Sequence, residues 1–126
     1  MKFATIFLFA LFFLSACGSQ DRKSAMPPLD ENTKSALAQD PKAKTLYEKI
    51  EQAYSTGDKA SIVAAYLNFG NYMMSESPVQ PRQKYRPALK AFNAVLALQP
   101  DNPEALKNKK IIEDIYAQMG MPIPKD

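Results

Sequence analysis

The stretch 88–105, ALKAFNAVLALQPDNPEA, decides the fold of this chain of 126 residues. In its first half, large apolar residues recur at the spacing of one face of an α-helix. These residues are Leu89, Phe92, Val95 and Leu96. We therefore predict a helix from about Tyr85 to Leu98, with Pro87 tolerated in its first turn and with the apolar face turned towards a core.

A turn and another helix follow within the same stretch. Asn102 can accept a hydrogen bond from the first turn of the new helix, and Pro103 fits the first helical position, where its missing N–H costs nothing. Glu104 puts a negative charge at the positive end of the helix dipole. The apolar residues of this helix, which ends at Gly120, are Leu106, Ile112, Ile115 and Met119. Two helices joined this tightly predict an antiparallel hairpin.

Two further helices are predicted upstream. The first begins at Asp40-Pro41, a capping residue followed by proline, and ends at Gly57. The second runs from about Lys59 to Met74 and has two neighbouring apolar stripes, so we expect it to pack on both sides. The apolar residues are Leu46, Tyr47, Ile50 and Tyr54 in the first helix, and Ile62, Tyr66, Phe69 and Met73 beside Val63, Leu67 and Met74 in the second.

The segment 75–86 breaks the helical pattern, because Pro78 and Pro81 are incompatible with the interior of a regular helix. No part of the chain shows the alternating pattern of a strand. The expected fold class is therefore all-α, with about four main helices arranged as antiparallel helical hairpins.

The stretch that decides the fold resembles a tetratricopeptide repeat. Ala88, Phe92, the pair Val95-Leu96 and Pro100 reproduce the spacing of the second helix of that repeat, and 102–105 resembles the opening of the next one. In this family the small residue lets two helices approach closely, the aromatic residue fills the gap between hairpins, and the proline ends the helix. The resemblance implies a tetratricopeptide-like stack whose curved surface holds a peptide or a helix of another protein.

Two alignments with the repeat remain open. In one, the helix 59–74 is the first helix of the repeat, but the connection 75–86 is then longer than the family's turn. The residues that match the family in this helix are Tyr66, Phe69, Gly70 and Met73. In the other alignment, Gly57-Asp58 is the turn inside a repeat, and the helices on either side of it form a pair. A four-helix bundle with a chance match is a third interpretation.

The first alignment implies a partner-binding surface, because the first helices of successive repeats line the concave face in this family. The residues that it places there are Leu67, Asn71, Met74, Lys107, Ile111 and Asp114. An amide can bond a peptide backbone, and a lysine can bind an acidic side chain or a terminal carboxylate. We expect Asn71→Ala and Lys107→Glu to weaken binding and to leave the thermal midpoint nearly unchanged. The competing interpretation assigns Leu67 and Met74 to the core.

The N-terminal segment has the pattern of a secretory signal. Lys2 supplies a positive charge, and the apolar run from Phe3 to Leu14 is shorter than the roughly 20 residues that a helix needs to cross a bilayer. Leu14-Ser15-Ala16-Cys17 then resembles the lipobox of bacterial lipoproteins. That resemblance implies cleavage before Cys17 and a diacylglyceryl lipid on its sulfur. A plain cleaved signal is the alternative.

The same resemblance bears on location. Gly18 follows the cysteine, whereas an aspartate there favours the inner membrane in Gram-negative lipoproteins. We therefore expect a lipid-anchored protein at the outer membrane, facing the periplasm, if the host is Gram-negative.

We divide the chain into a signal peptide at 1–16, a lipidated cysteine with a flexible tether at 17–39, and a helical domain at 40–126. The tether is polar and interrupted by Pro27-Pro28, so it lacks the apolar surface that would offset its ordering entropy. A short helix over 33–38 is compatible with its sequence.

The amino-acid composition argues against catalysis and metal binding. The chain has no histidine, and its single cysteine is assigned to the lipid, so we expect neither a Cys/His metal site nor histidine base catalysis. Phosphate-binding glycine motifs and the nucleophile elbow are missing from the sequence, and a net charge of +3 is too small to indicate nucleic acid. We expect no enzyme activity, cofactor, metal or small-molecule substrate. An enzyme using carboxylates and tyrosines is the least favoured alternative.

One basic and aromatic segment stands out, formed by Arg82, Lys84, Tyr85 and Arg86. Such a segment can contact anionic headgroups or an acidic partner. The simpler interpretation, which we favour, is a solvated loop.

The expected function is that of a membrane-anchored protein–protein interaction module of the bacterial cell envelope, an accessory in envelope assembly, secretion or pilus machinery. The alternative is a structural spacer or oligomer subunit without a peptide groove. An open concave surface favours the first function, and a flat hydrophobic patch favours the second.

Overall fold

A computed structural model describes residues 25–125, and within that range every regular element is an α-helix. This confirms the predicted all-α fold class. The four predicted helices are present, and a shorter helix precedes them. The elements are α1 (Glu31–Gln39), α2 (Pro41–Thr56), α3 (Lys59–Ser75), α4 (Pro81–Leu98) and α5 (Pro103–Gln118).

Side-chain caps begin most of these helices, as the sequence predicted for α2 and α5. Asp40 accepts hydrogen bonds from the backbone N–H groups of Lys42 and Ala43. Asn102 accepts one from the N–H of Ala105 at 2.9 Å. Each acceptor satisfies a donor that the first turn of a helix cannot pair internally, so the chain turns sharply between α1 and α2 and between α4 and α5.

Helix α1 corrects the predicted flexible tether, which extended to Gln39, and it includes the short helix that the sequence allowed over 33–38. Asp30 caps this helix and accepts a hydrogen bond from the Thr33 hydroxyl at 2.6 Å. Thr33 and Ala36, three positions apart, are both buried, because α1 packs on α4 and α2. Both side chains are small, so the segment could be buried without the large apolar residues by which a packed helix is normally recognised.

Helix α4 begins earlier than predicted. The sequence placed 75–86 outside any helix, but Pro81 occupies the first helical position, where proline is favoured. Pro87 therefore lies inside the helix rather than in its first turn, and its ring is fully buried. The basic segment 82–86 is consequently part of a helix and not a loop.

The core forms around α3, which packs against both α2 and α4 and also touches α5. This confirms that its two apolar stripes are both used. Phe92 of α4 is completely buried, and its ring lies directly against Gly70 of α3. The largest fully buried residues are Phe69, Phe92, Ile50, Met73, Ile112, Val95 and Pro87.

Helix α5 departs from its predicted inner face at one position. Leu106 is 48% exposed, whereas Ala105, Asn108, Ile112 and Tyr116 are buried. The buried residues recur three or four positions apart, so the inner face is rotated away from Leu106 and includes a polar residue and a tyrosine.

Candidate functional site

The face shared by α3 and α5 carries the residues that the first alignment assigned to partner binding. At its centre, three side chains are linked by hydrogen bonds. The Asn108 amide donates to Asn71 Oδ1 at 2.7 Å, and the Asn71 amide donates to Glu104 Oε1 at 2.6 Å. Because Asn71 belongs to α3 and the other two residues belong to α5, these hydrogen bonds hold the two helices side by side.

The residues predicted to bind a partner divide into two groups around these hydrogen bonds. Leu67 and Met74 of α3 are half-buried and pack against the edge of the core, so each contributes to the core and to the surface. Lys107, Ile111 and Asp114 of α5 are exposed. We call the five residues and Asn71 together the α3–α5 face.

Two charged or amide groups on this face already have partners within the chain. Asp114 pairs with Lys110 at 3.1 Å, one turn earlier on α5. Asn71 uses its oxygen and its amide nitrogen in the contacts with Asn108 and Glu104. Lys107 has no ion pair with any carboxylate of residues 25–125. The cation free to meet a partner's acidic group is therefore Lys107.

The hydrogen bonds of Asn71 correct one expectation. Replacing Asn71 by Ala removes the acceptor of the Asn108 amide, and Asn108 is buried. An unpaired buried amide typically costs about 1–3 kcal/mol. Asn71→Ala should therefore lower the thermal midpoint, so this variant does not separate binding from folding. Asn108 was missed by the sequence reasoning, although its place between Ala105 and Ile112 on the inner face of α5 was a usable signal.

A second polar cluster lies where α2 begins. The Asp40 carboxylate, buried at 3% exposure, accepts hydrogen bonds from the Tyr72 hydroxyl at 2.9 Å and the Ser77 hydroxyl at 2.8 Å. Burial raises the pKa of this carboxyl, but the bonds from Ser77, the Ala43 N–H and Tyr72 outweigh burial and hold the pKa below its ordinary value. Asp40 therefore stays charged and ties α2 to the end of α3, which is a structural role.

A small cleft lies beside the entry to α1, lined by Asp30, Tyr47, Tyr66, Phe69 and Lys90 among others. Lys90 pairs with Asp30 at 3.4 Å. Burial raises the pKa of Tyr47 to about 12 and raises that of Tyr66 as well, the latter helped by its hydrogen bond with Tyr54. Both hydroxyls thus remain protonated at neutral pH, where they can donate hydrogen bonds but cannot act as bases.

A fourth feature is a groove between the first turns of α4, the end of α5 and the segment 121–125. Three cations line it, Arg82, Arg86 and Lys125. Asn32 and Tyr116 form part of its wall. With its amide oriented so that Oδ1 faces the guanidinium, Asn32 accepts hydrogen bonds from Arg86 Nη1 at 3.1 Å and Nε at 3.2 Å. We call this feature the basic groove.

Residues 25–125 contain no group of three or more His, Cys, Asp or Glu side chains that could hold a metal ion. No helix in this range is long and apolar enough to cross a bilayer. The predicted signal peptide and Cys17 lie outside the described residues.

The fold and the α3–α5 face define an all-α protein of packed helical hairpins. Searches against protein-family models, curated proteins and solved structures find no match to the chain.

Proposed function

We propose that this protein is a membrane-anchored protein–protein interaction module of the bacterial cell envelope, an accessory in envelope assembly, secretion or pilus machinery. The observation that carries the proposal is the α3–α5 face. It presents an exposed apolar residue, Ile111, and a cation, Lys107, that no carboxylate of residues 25–125 pairs with, beside the Asn71–Asn108 hydrogen bond that joins α3 to α5. The lipobox-like sequence ending at Cys17 supports the membrane anchor.

The chemistry of the face suits one kind of partner. Ile111 is 38% exposed, and Leu67 and Met74 are half-buried, so the face offers apolar area without large empty cavities. An amphipathic helix or an extended segment could place apolar side chains on it and an acidic group beside Lys107. The hydrogen bonds of Asn71 to Asn108 and Glu104 tie α3 to α5, which would limit the ordering cost of binding.

The test compares variants chosen to leave the core intact. Lys107→Glu and Ile111→Ser change exposed side chains, so each should alter stability by less than about 0.5–1 kcal/mol while weakening partner capture. Lys44→Glu is the matched control, since Lys44 is exposed, forms no ion pair with a described carboxylate and belongs to α2, which does not pack against α5. The tagged, membrane-extracted proteins are captured after cross-linking in cells, and their partners are quantified by mass spectrometry. Equal recovery with all three variants would refute the assignment of the face.

The anchor is tested separately. Cys17→Ser should abolish metabolic labelling with a radioactive or alkyne fatty acid and should release the protein from the membrane fraction. A wild-type protein that takes up no fatty acid would rule out lipidation, whatever the α3–α5 face binds.

The second candidate function, an oligomer subunit or spacer, is favoured by one observation. Leu106 is 48% exposed on the side of α5 away from its buried residues. A large apolar side chain at such a place can pack against another copy. Light scattering during size-exclusion chromatography distinguishes the two functions: a stable oligomer that Leu106→Gln dissociates would support self-assembly, and a monomer at all concentrations would exclude it.

A further inference from the structure

The basic groove gathers positive charge that the rest of residues 25–125 does not neutralise. Arg82 and Arg86 stand one helical turn apart on α4, and Lys125 lines the same groove. None of the three forms an ion pair with a described carboxylate, and none of the described lining residues is acidic. Like charges held together without a counterion repel, so the groove favours an anion supplied from outside.

One cation of the groove has a hydrogen-bond acceptor beside it. With its amide oriented so that Oδ1 faces the guanidinium, Asn32 at the start of α1 accepts hydrogen bonds from Arg86 Nε and Nη1, which leaves the Nη2 donors of the guanidinium unused by that contact. The guanidinium fork matches the oxygens of a phosphate group, with which arginine forms paired hydrogen bonds. Arg86 therefore keeps guanidinium donors with which it can bind a phosphate.

An exposed apolar residue lies beside these cations. Ile123 is 45% exposed and belongs to the lining, next to Pro122 and Pro124. Cationic side chains next to an apolar residue are typical of surfaces that rest in the interface of an anionic bilayer, where the apolar group enters the headgroup boundary and the cations meet phosphates.

The groove also lies where the chain arrives from its N-terminal end. Asn32 forms part of its wall and belongs to the first turn of α1. If Cys17, which precedes Asn32 by 15 positions in the sequence, carries a lipid, that lipid would keep the domain near the membrane and raise the effective concentration of headgroups at the basic groove.

We propose that the basic groove binds the phosphate of anionic phospholipid headgroups and so docks the helical domain on the membrane surface. The location part of this inference rests on the proposed lipid anchor, but the binding chemistry depends on the groove alone. Docking through this groove would fix how the domain faces the membrane, since Arg82, Arg86 and Ile123 would all point to the bilayer.

The experiment uses the chain from residue 17 onward with Cys17→Ser, so that no lipid contributes to binding. Co-sedimentation is measured with vesicles of equal parts phosphatidylglycerol and phosphatidylcholine, and with vesicles of phosphatidylcholine alone. We expect binding to the anionic vesicles only, and weaker binding as salt is raised. Each cation removed from an anionic surface should lower the partition coefficient about fivefold at physiological ionic strength.

Two variants test separately how the charge of the groove and the guanidinium fork of Arg86 contribute to vesicle binding. Arg82→Gln with Lys125→Gln leaves the Asn32–Arg86 contact in place and should lower partitioning by the product of two such factors. Arg86→Lys keeps the charge but loses the fork, and it should bind more weakly than the wild type. The matched control is Lys44→Gln with Lys49→Gln, which removes the same charge from exposed positions on α2. Unchanged helical circular dichroism is required of every variant.

Three outcomes would overturn the inference. These are equal binding to both kinds of vesicle, an equal loss in the control, and no vesicle binding together with capture of a glutamate-rich peptide. The last outcome would assign the groove to an acidic protein segment. Vesicle binding without fatty acid labelling of the wild-type chain would leave the groove standing and remove the anchor. Fatty acid labelling without vesicle binding would support the anchor and refute phosphate binding by the groove.

Discussion

The close contact between Gly70 and Phe92 gives the sharpest test of the packing. Gly70 lies inside α3, where a change from Gly to Ala usually stabilises a helix by about 1 kcal/mol. Here, however, an added Cβ would lie 2.9 Å from Phe92 Cζ, 3.0 Å from Phe92 Cε1 and 3.3 Å from Ala91 Cβ. Phe92 is 0% exposed, so its ring cannot swing into solvent to make room.

The gain in helix propensity and the steric clash with Phe92 oppose each other. Their relative sizes decide whether Gly70→Ala raises or lowers the free energy of unfolding. Overfilling a packed core typically costs about 1–3 kcal/mol, against the gain of about 1 kcal/mol in helix propensity. We therefore expect Gly70→Ala to lower the free energy of unfolding by up to about 2 kcal/mol. The expectation reverses in a Phe92→Leu background, because leucine lacks the Cζ and Cε1 atoms that the new methyl group would meet. There Gly70→Ala should stabilise the protein.

The assay is urea unfolding followed by circular dichroism, on the wild type, both single variants and the double variant. The double-mutant cycle should give a coupling energy of about 1–3 kcal/mol, in the range found for residues in direct contact. Ala64→Gly is the control for helix propensity alone, because Ala64 is an exposed position of α3. This substitution should lower the free energy of unfolding by about 1 kcal/mol. If Gly70→Ala stabilises both backgrounds equally, α3 and α4 do not approach as closely as described.

The remaining predictions concern the core and the buried carboxylate. Phe92→Ala should destabilise the protein by about 3–5 kcal/mol, measured by the same urea unfolding, because it removes a fully buried ring; a nearly neutral result would show that this ring does not hold the hairpins together. Because hydrogen bonds hold the folded-state pKa of Asp40 below its unfolded value of 3.8, its stabilising contribution is present above that pH and is lost as the pH falls below it. Asp40→Asn should therefore flatten the acid side of the curve of unfolding free energy against pH, and an unchanged acid side would mean that Asp40 is not the group that titrates. Asp40→Ala should cost at least about 1–3 kcal/mol at neutral pH, because the buried hydroxyls of Tyr72 and Ser77 lose their acceptor. Ser61→Ala, which removes only an exposed hydrogen bond to Asp58, should be nearly neutral in the same measurement.

The candidate site was accessible to sequence reasoning only in part. The alignment with the tetratricopeptide repeat placed Lys107, Ile111 and Asp114 on one face, and all three are exposed. The hydrogen bonds of Asn71 could not be foreseen, because its partners lie on α5, 33 and 37 positions away in the chain. A basic segment at 82–86 was visible in the sequence, but its approach to Lys125 depends on how α4, α5 and 121–125 meet.

Local chemistry was sufficient to determine the four main helices and most of their ends. Asp40, Gly57 and Asn102 act through backbone groups of the nearest turn, so their effects are fixed by residues a few positions away and can be predicted from the chain alone. The helical period of the apolar residues likewise determined that the described fold is all-α. The lipobox-like sequence at Cys17 is local in the same sense and remains a prediction.

Tertiary packing decided what local chemistry left open. The segment 31–39 is too polar to predict a docked helix, and it is helical and packed because α4 and α2 provide a surface for Thr33 and Ala36. The outward position of Leu106, the burial of Asn108 and the convergence of cations in the basic groove have the same origin. Each depends on contacts between residues distant in sequence, and the free energy of such contacts is set by the shape of the neighbouring helix rather than by the residue's own preference.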